Sequence, residues 1–250
     1  MDLQGKTALI TGGATGIGRA VALKFAQSGA NIVINYSKSQ AEAEDTLHEV
    51  EKKGVKGILC QADVSRDDQV RRMADEALRA FGRIDVLVNN AGHTAFVPLV
   101  DLEGMTEEIW DRILAVNVKG VFFTSRACSK ELIRTRGSIV NITSIAGYTG
   151  TGSCLAYAAS KAAAINVTRS FARVLAPHVR VNNVAPGVAV TRWVEGRETH
   201  VTSFAKGTLL GRAATAEDVA DAVWALVTAD SFITGQTLVV DGGFSINFMF

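Results

Sequence analysis

Apolar runs alternate with amphipathic segments along nearly the whole chain, and this alternation restricts the fold more than any other feature. "KTALIT" (6–11), "NIVINY" (31–36), "VKGILCQA" (55–62) and "IDVLVNNAG" (84–92) read as strands. The early ones are apolar on both faces rather than strictly alternating. Between them, "GIGRAVALKFAQSG" (16–29), "QAEAEDTLHEVEKKG" (40–54) and "RDDQVRRMADEALRAFG" (66–82) read as helices. Strands at 138–143, 179–184 and 236–240 and helices at 107–135, 155–175 and 216–228 continue the pattern. Strands buried on both faces and joined through helices make a parallel sheet, and right-handed crossovers make it doubly wound. The expected architecture is therefore α/β, a single domain over residues 1–250 with helices on both faces of the sheet. "RWVEGRETHVTSFAKGTLLG" (192–211) has neither period. It predicts two short helices within a mobile, substrate-covering segment at 188–212.

The totals narrow the class of protein. With formal net charge +1 over 250 residues, the chain lacks the basic footprint of a nucleic-acid binder. The start, "MDLQGKTALI", has no signal-peptide layout, and no apolar run reaches the roughly eighteen residues of a membrane span. Neither nucleic acid nor membrane is expected as a partner. Cys60, Cys128 and Cys154 are odd in number and outside any CxxC pair, which reads as buried free thiols in a cytoplasmic protein. His and Cys are not clustered, and no metal is expected.

"TGGATGIG" (11–18) follows the first strand and opens the first helix. Gly12, Gly16 and Gly18, with Thr15 and Ile17 on the same turn, allow a sharp bend and close backbone approach to a pyrophosphate. The helix terminus then offers free amides to the anion. The second strand ends in "NYSKS", where no acid follows Tyr36. A carboxylate there would accept the ribose hydroxyls of NAD and repel the extra phosphate of NADP, so Ser37 and Lys38 favour NADP(H), with NAD(H) possible. Lys38 also fits a solvated helix-entry charge, and Thr15 lacks a positive charge that would help hold the phosphate. Asp63, ending the third strand before Val64, fits either an adenine amino group or a helix cap. Asn89, Asn90, Ala91 and Gly92 end the fourth strand, where small residues admit a cofactor and the asparagines also lock turns.

"GSCLAYAASKAAAIN" (152–166) places Tyr157 and Lys161 one helical turn apart. A phenol normally titrates near pH 10, and a nearby ammonium favours its ionised form. Residues four apart share a helix face, so both can meet one ligand. Taken alone, the pair equally reads as a half-buried ring beside a snorkelling lysine. Ser144 in "NITSIAG" fits a carbonyl-orienting donor or a turn residue, and Asn117 in "LAVNVKG" is a polar residue inside an apolar helical run, which alone reads as a satisfied kink-former.

Taken together, these residues resemble the short-chain dehydrogenase/reductase family, and its 3-oxoacyl-(acyl-carrier-protein) reductase-like group in particular. The motifs are "TGGATGIG", Asp63, "NNAG" (89–92), the tetrad Asn117, Ser144, Tyr157 and Lys161, and "PGVAVT" (186–191). The resemblance implies a Rossmann-type fold and a nicotinamide-dependent carbonyl reductase or secondary-alcohol dehydrogenase. In it Tyr157 moves the proton and Ser144 orients the carbonyl. Lys161 holds the nicotinamide ribose and depresses the tyrosine pKa, while Asn117 anchors a relay water. Pro186, Gly187, Val188 and Thr191 would hold the carboxamide. It also implies a homotetramer formed through the helices at 107–135 and 155–175 and the carboxyl terminus, where "VFFTS" (121–125) and "FSINFMF" are apolar. Alternatively the tail folds back on its own domain.

The substrate is less defined. Val188, Trp193, Phe204, Leu209 and Tyr148 suggest an apolar pocket for a compact ketone or alcohol, with His93 and Leu155 at its edge. The mixed signs of Arg192, Arg197, Glu195 and Glu198 read against an acyl-carrier partner. A 3-oxoacyl-thioester reductase, a sugar or hydroxysteroid dehydrogenase, and a cofactor-binding sensor or scaffold are the alternatives.

Overall fold

Thr7, Ala8, Leu9 and Ile10 are all buried, and so are Val86 to Asn89 and Ser138 to Ile142. Such runs have no solvent face, so each strand must pair on both edges and be covered on both sides. In this computed structural model, which describes residues 1–229 and 232–247, that is how they are used. Strands β1 (Thr7–Ile10), β2 (Asn31–Tyr36), β3 (Gly57–Gln61), β4 (Val86–Asn89), β5 (Ser138–Ile142), β6 (Arg180–Pro186) and β9 (Thr237–Val240) form one sheet. Its order is β3-β2-β1-β4-β5-β6-β9, and every pairing is parallel.

Helices α1 (Gly16–Gln27), α2 (Gln40–Glu51) and α9 (Ala216–Thr228) contribute Phe25, Val50 and Val223 to one core layer. On the opposite face α3 (Asp67–Phe81), α5 (Gly120–Thr135) and α7 (Leu155–Leu175) contribute Met73, Leu132 and Leu175. Each fully buried aliphatic side chain stabilises the fold by about 1.5–3 kcal/mol relative to exposure. Connections from β1 and β4 leave in opposite directions, which opens a crevice at the carboxyl edge between them. This is the expected doubly wound arrangement.

Three local features depart from the periodic reading. The helix expected at 107–135 is two, α4 (Glu107–Leu114) and α5, joined by a π turn over Ala115–Lys119 that contains Asn117. A short helix, α6 (Ala146–Thr149), follows β5. The cover has the two expected short helical pieces, a 3-10 turn at Arg192–Val194 and α8 (Glu198–Lys206). Its ends are pinned together by two further strands, β7 (Ala189–Val190) and β8 (Ala214–Thr215), which pair in parallel. No helix among the described residues is long and apolar enough to cross a membrane.

Candidate active site

The carboxyl edge of the sheet opens into a cavity of about 1190 Å³. At one end lies the glycine loop. Gly12 and Gly16 have φ of +61° and +54°, which side-chain-bearing residues rarely adopt. A Cβ on Gly18 would stand 2.2 Å from the Gly12 oxygen. Gly18 therefore packs helix against loop and, unlike Gly12, Thr15, Gly16 and Ile17, does not line the cavity. Thr15 precedes α1 without capping it through its side chain, leaving the first-turn amides for an anion. The shape of this loop fits a dinucleotide pyrophosphate.

Buried amides hold the loop in place. Asn35 accepts from the Gly12 N–H (3.2 Å) and donates to the Cys60 and Ala62 carbonyls (3.2 and 3.0 Å). Asn90 donates to the Thr11 and Gly12 carbonyls at 3.0 Å each. Asn89 does something else. Strand alternation turns it away from the cavity, where it donates to Ser125 and Asn141 (3.1 and 2.8 Å) and accepts from Thr124 (2.5 Å). The expected cofactor contact at Asn89 is thus replaced by a buried lock, while Ala91 and Gly92 do line the cavity.

Tyr36, Ser37, Lys38, Asp63 and Val64, expected on the adenosine side, all line the cavity. Asp63 accepts from the Ser65 N–H (2.9 Å) and hydroxyl (2.7 Å) and pairs with Arg112 (3.0 Å). Burial works to raise its pKa, but these donors outweigh it and hold the carboxyl below its usual range. Asp63 is no helix cap; Arg66 occupies that position of α3.

Ser144, Tyr157 and Lys161 meet on the cavity wall beside Pro186, Gly187, Val188 and Thr191. The Ser144 hydroxyl accepts from the Ala146 N–H (3.1 Å) and hydrogen-bonds the Tyr157 phenol. One hydroxyl thus serves the turn and meets the phenol. Lys161 is buried, its Nζ donates to the Ile142 carbonyl at 2.9 Å and lies 5.5 Å from the Tyr157 ring centre. Burial lowers the Lys161 pKa to about 8. Burial likewise raises Tyr157 to about 12, with the Ser144 hydrogen bond opposing it. The expected depression of the phenol by Lys161 is not present, because desolvation dominates both groups.

Asn117 does not line the cavity. Its side-chain oxygen accepts from the His93 N–H (2.8 Å), and its amide donates to the His93 carbonyl (3.0 Å) and to Ser160 (2.9 Å). With those three bonds formed, the side chain ties the loop after β4 to α7. The residue lies in a π turn, a distortion frequent at functional sites.

Residues of the 188–212 segment form a further part of the cavity wall. Thr191 packs over Gly16, and the Trp193 ring lies 6.2 Å from that of Tyr157. Phe204 stacks on Phe244 at 4.2 Å, so this part of the tail folds back, whereas Phe248 to Phe250 lie outside the described residues. His93 lines the cavity, and burial followed by the charges of Arg112 and Lys38 lowers its pKa. Tyr148, Leu155 and Leu209 do not line it. Tyr148 points out from α6, whose buried residue is Ala146, and Leu155 stands exposed at the start of α7 beside buried Ala156. In their place the apolar arm is formed by Phe96, Val97 and Leu99, from an aperiodic loop that the sequence left unassigned.

A family profile described as enoyl-(acyl carrier protein) reductase matches residues 12–245. The chain is 41% identical, over 94% of both chains, to a protein of Streptomyces violaceoruber named for a ketoacyl reductase role in the granaticin polyketide synthase. It is 39% identical to the 3-oxoacyl-(acyl-carrier-protein) reductase of Thermotoga maritima, over 98% of this chain and 100% of the relative. Among solved structures it is similar to a short-chain dehydrogenase from Burkholderia cenocepacia in complex with NADP. That likeness has a TM-score of 0.90 at 35% identity and covers 98% of this chain and 100% of the other. Sequence, fold and family profile agree that this chain belongs to the short-chain dehydrogenase/reductase family and is an NAD(P)-dependent oxidoreductase.

Proposed function

We propose that the protein reduces the ketone of a 3-oxoacyl thioester to a secondary alcohol, using NADPH. The observation that carries this reading is one continuous cavity. It joins the glycine loop to Ser144, Tyr157 and Lys161 and runs on as the apolar arm of Phe96, Val97 and Leu99. A nicotinamide dinucleotide held along the loop supplies the hydride. Tyr157 delivers the proton to the substrate oxygen, Ser144 steadies that oxygen by a hydrogen bond, and the Lys161 ammonium stabilises the phenolate left behind. Asn117 acts as a positioning residue through His93 and Ser160.

The thioester reading replaces the compact ketone favoured by the sequence for two reasons. The relatives named above are ketoacyl reductases over nearly their whole lengths. In addition, Glu198 accepts from the Gly196 N–H (3.2 Å), while Arg197 stacks on Phe96 at the cavity wall, its guanidinium 3.4 Å from the ring centre. This leaves a cation on the wall of the apolar arm, which supports an anionic phosphopantetheine thioester as substrate.

The discriminating measurement is NADPH oxidation with 3-oxoacyl thioesters of coenzyme A against cyclic ketones and sugars. The expected kcat/KM is at least about tenfold higher for thioesters, a difference of about 1.4 kcal/mol. Equal or better rates with cyclic ketones would return the assignment to a general carbonyl reductase.

We also infer a homotetramer. Phe122 on α5, Val174 on α7, and Leu238 and Val239 on β9 are 42%, 74%, 40% and 41% exposed. Large exposed apolar side chains on several elements favour burial against further copies. Light scattering is expected to give four times the 26.5 kDa chain mass, and a monomeric mass would refute this.

A further inference from the structure

We propose that Arg192, on the cover, is the side chain that recognises the 2′-phosphate of NADP(H). This rests on the NADP(H) reading above and goes beyond it. In the sequence this preference rests on Ser37 and Lys38, yet Lys38 is exposed and Thr15 brings no charge to the glycine loop. The cation fixed at that end of the cavity comes from the opposite wall. The Arg192 guanidinium donates to the Ser39 hydroxyl at 3.1 Å and the Thr15 hydroxyl at 3.3 Å. Ser39 follows the end of β2 and Thr15 ends the glycine loop, so the guanidinium bridges the two segments between which the ribose of a dinucleotide bound on that loop must lie. Arg192, Thr15, Ser37, Lys38 and Ser39 all line the same cavity.

The guanidinium already holds an anion there. Its Nη1 donates to Glu42 at 2.6 Å, a residue 150 positions earlier in the chain. The Glu42 carboxylate is the competitor that a phosphate must displace. A planar fork of donors suits phosphate oxygens, and a dianion outcompetes a carboxylate for it. NADH offers only ribose hydroxyls at that position and leaves the Arg192–Glu42 pair intact. Because Thr191 packs over Gly16 and Trp193 faces Tyr157, the same three-residue segment spans the cavity from the phosphate to the reacting end. Anchoring Arg192 on a phosphate therefore also holds the cover in place.

The test is calorimetric titration of the full chain with 2′,5′-ADP and 5′-AMP, which differ only in the phosphate at issue. Wild type is expected to bind 2′,5′-ADP more tightly. Arg192→Met should weaken 2′,5′-ADP about tenfold, equivalent to about 1.4 kcal/mol, while 5′-AMP binding stays within about twofold and so reports an intact site. Glu42→Gln, which removes the competing anion, should tighten 2′,5′-ADP. Two results would overturn the proposal with the NADP(H) reading left standing. One is a wild type that discriminates together with an Arg192→Met protein that discriminates equally well. The other is equal loss of both ligands. A wild type that fails to discriminate would defeat the NADP(H) reading itself, and this inference with it.

Discussion

Tyr157→Phe is expected to lower kcat for carbonyl reduction by about 10²–10⁴-fold, the usual contribution of a positioned general acid. The substitution removes one oxygen and keeps the ring, whose centre stays 6.2 Å from Trp193, so the cavity wall should survive. Burial pushes the phenol up to about 12, which keeps it protonated throughout the working range. That suits a proton donor to a carbonyl. The cost appears once the proton has left, when a phenolate is stranded in a desolvated wall. The Ser144 hydroxyl and the Lys161 ammonium are the groups placed to stabilise it. Fluorescence titration should therefore show NADPH binding within about threefold of wild type, well under 1 kcal/mol, while turnover collapses. Equal turnover in both proteins would refute the role assigned to Tyr157.

The residues that could be read from the sequence were those whose function fixes a spacing or a position at a strand end. Tyr157 and Lys161 are four apart on a helix, and the glycines must lie between β1 and α1; both patterns survive in one dimension. The strands were legible because burial on both faces leaves uninterrupted apolar runs. Side-chain direction left no such mark. Asn89 and Asn90 are adjacent, yet strand alternation sends one to Thr124 and Ser125 and the other to the glycine loop. Tyr148 and Leu155 looked like pocket residues by type and proximity, but α6 and the first turn of α7 bury only their alanines on the inner side. The π turn around Asn117 depends on one altered hydrogen-bond register that composition does not record. Arg192 meets Glu42 across 150 residues, a contact that only the folded chain brings about.

Lys161→Met is expected to make the cofactor-free protein more stable at neutral pH while reducing turnover at least about a hundredfold. Lys161 is 5% exposed, and its ammonium has the Ile142 carbonyl as its hydrogen-bond acceptor, at 2.9 Å. Burial depresses its pKa from 10.5 to about 8, which corresponds to a penalty on the order of 3 kcal/mol for holding the charge in the folded state. The sign follows from proton counting. Below about pH 8 folded and unfolded chains both carry the proton, and the full penalty is present. Between about 8 and 10.5 the unfolded chain holds more protons than the folded one, so wild-type stability rises with pH through that window. Methionine has no charge to strand and similar length, though it leaves the Ile142 carbonyl without this donor and so offsets part of the gain. Thermal melts at pH 7 should place the variant about 2–6 °C above wild type. The gap should close as the pH approaches 10. A variant melting below wild type, or a gap independent of pH, would show that burial does not strain the ammonium. The expected pattern would instead show Lys161 retained against stability, because the charge is needed when Tyr157 gives up its proton.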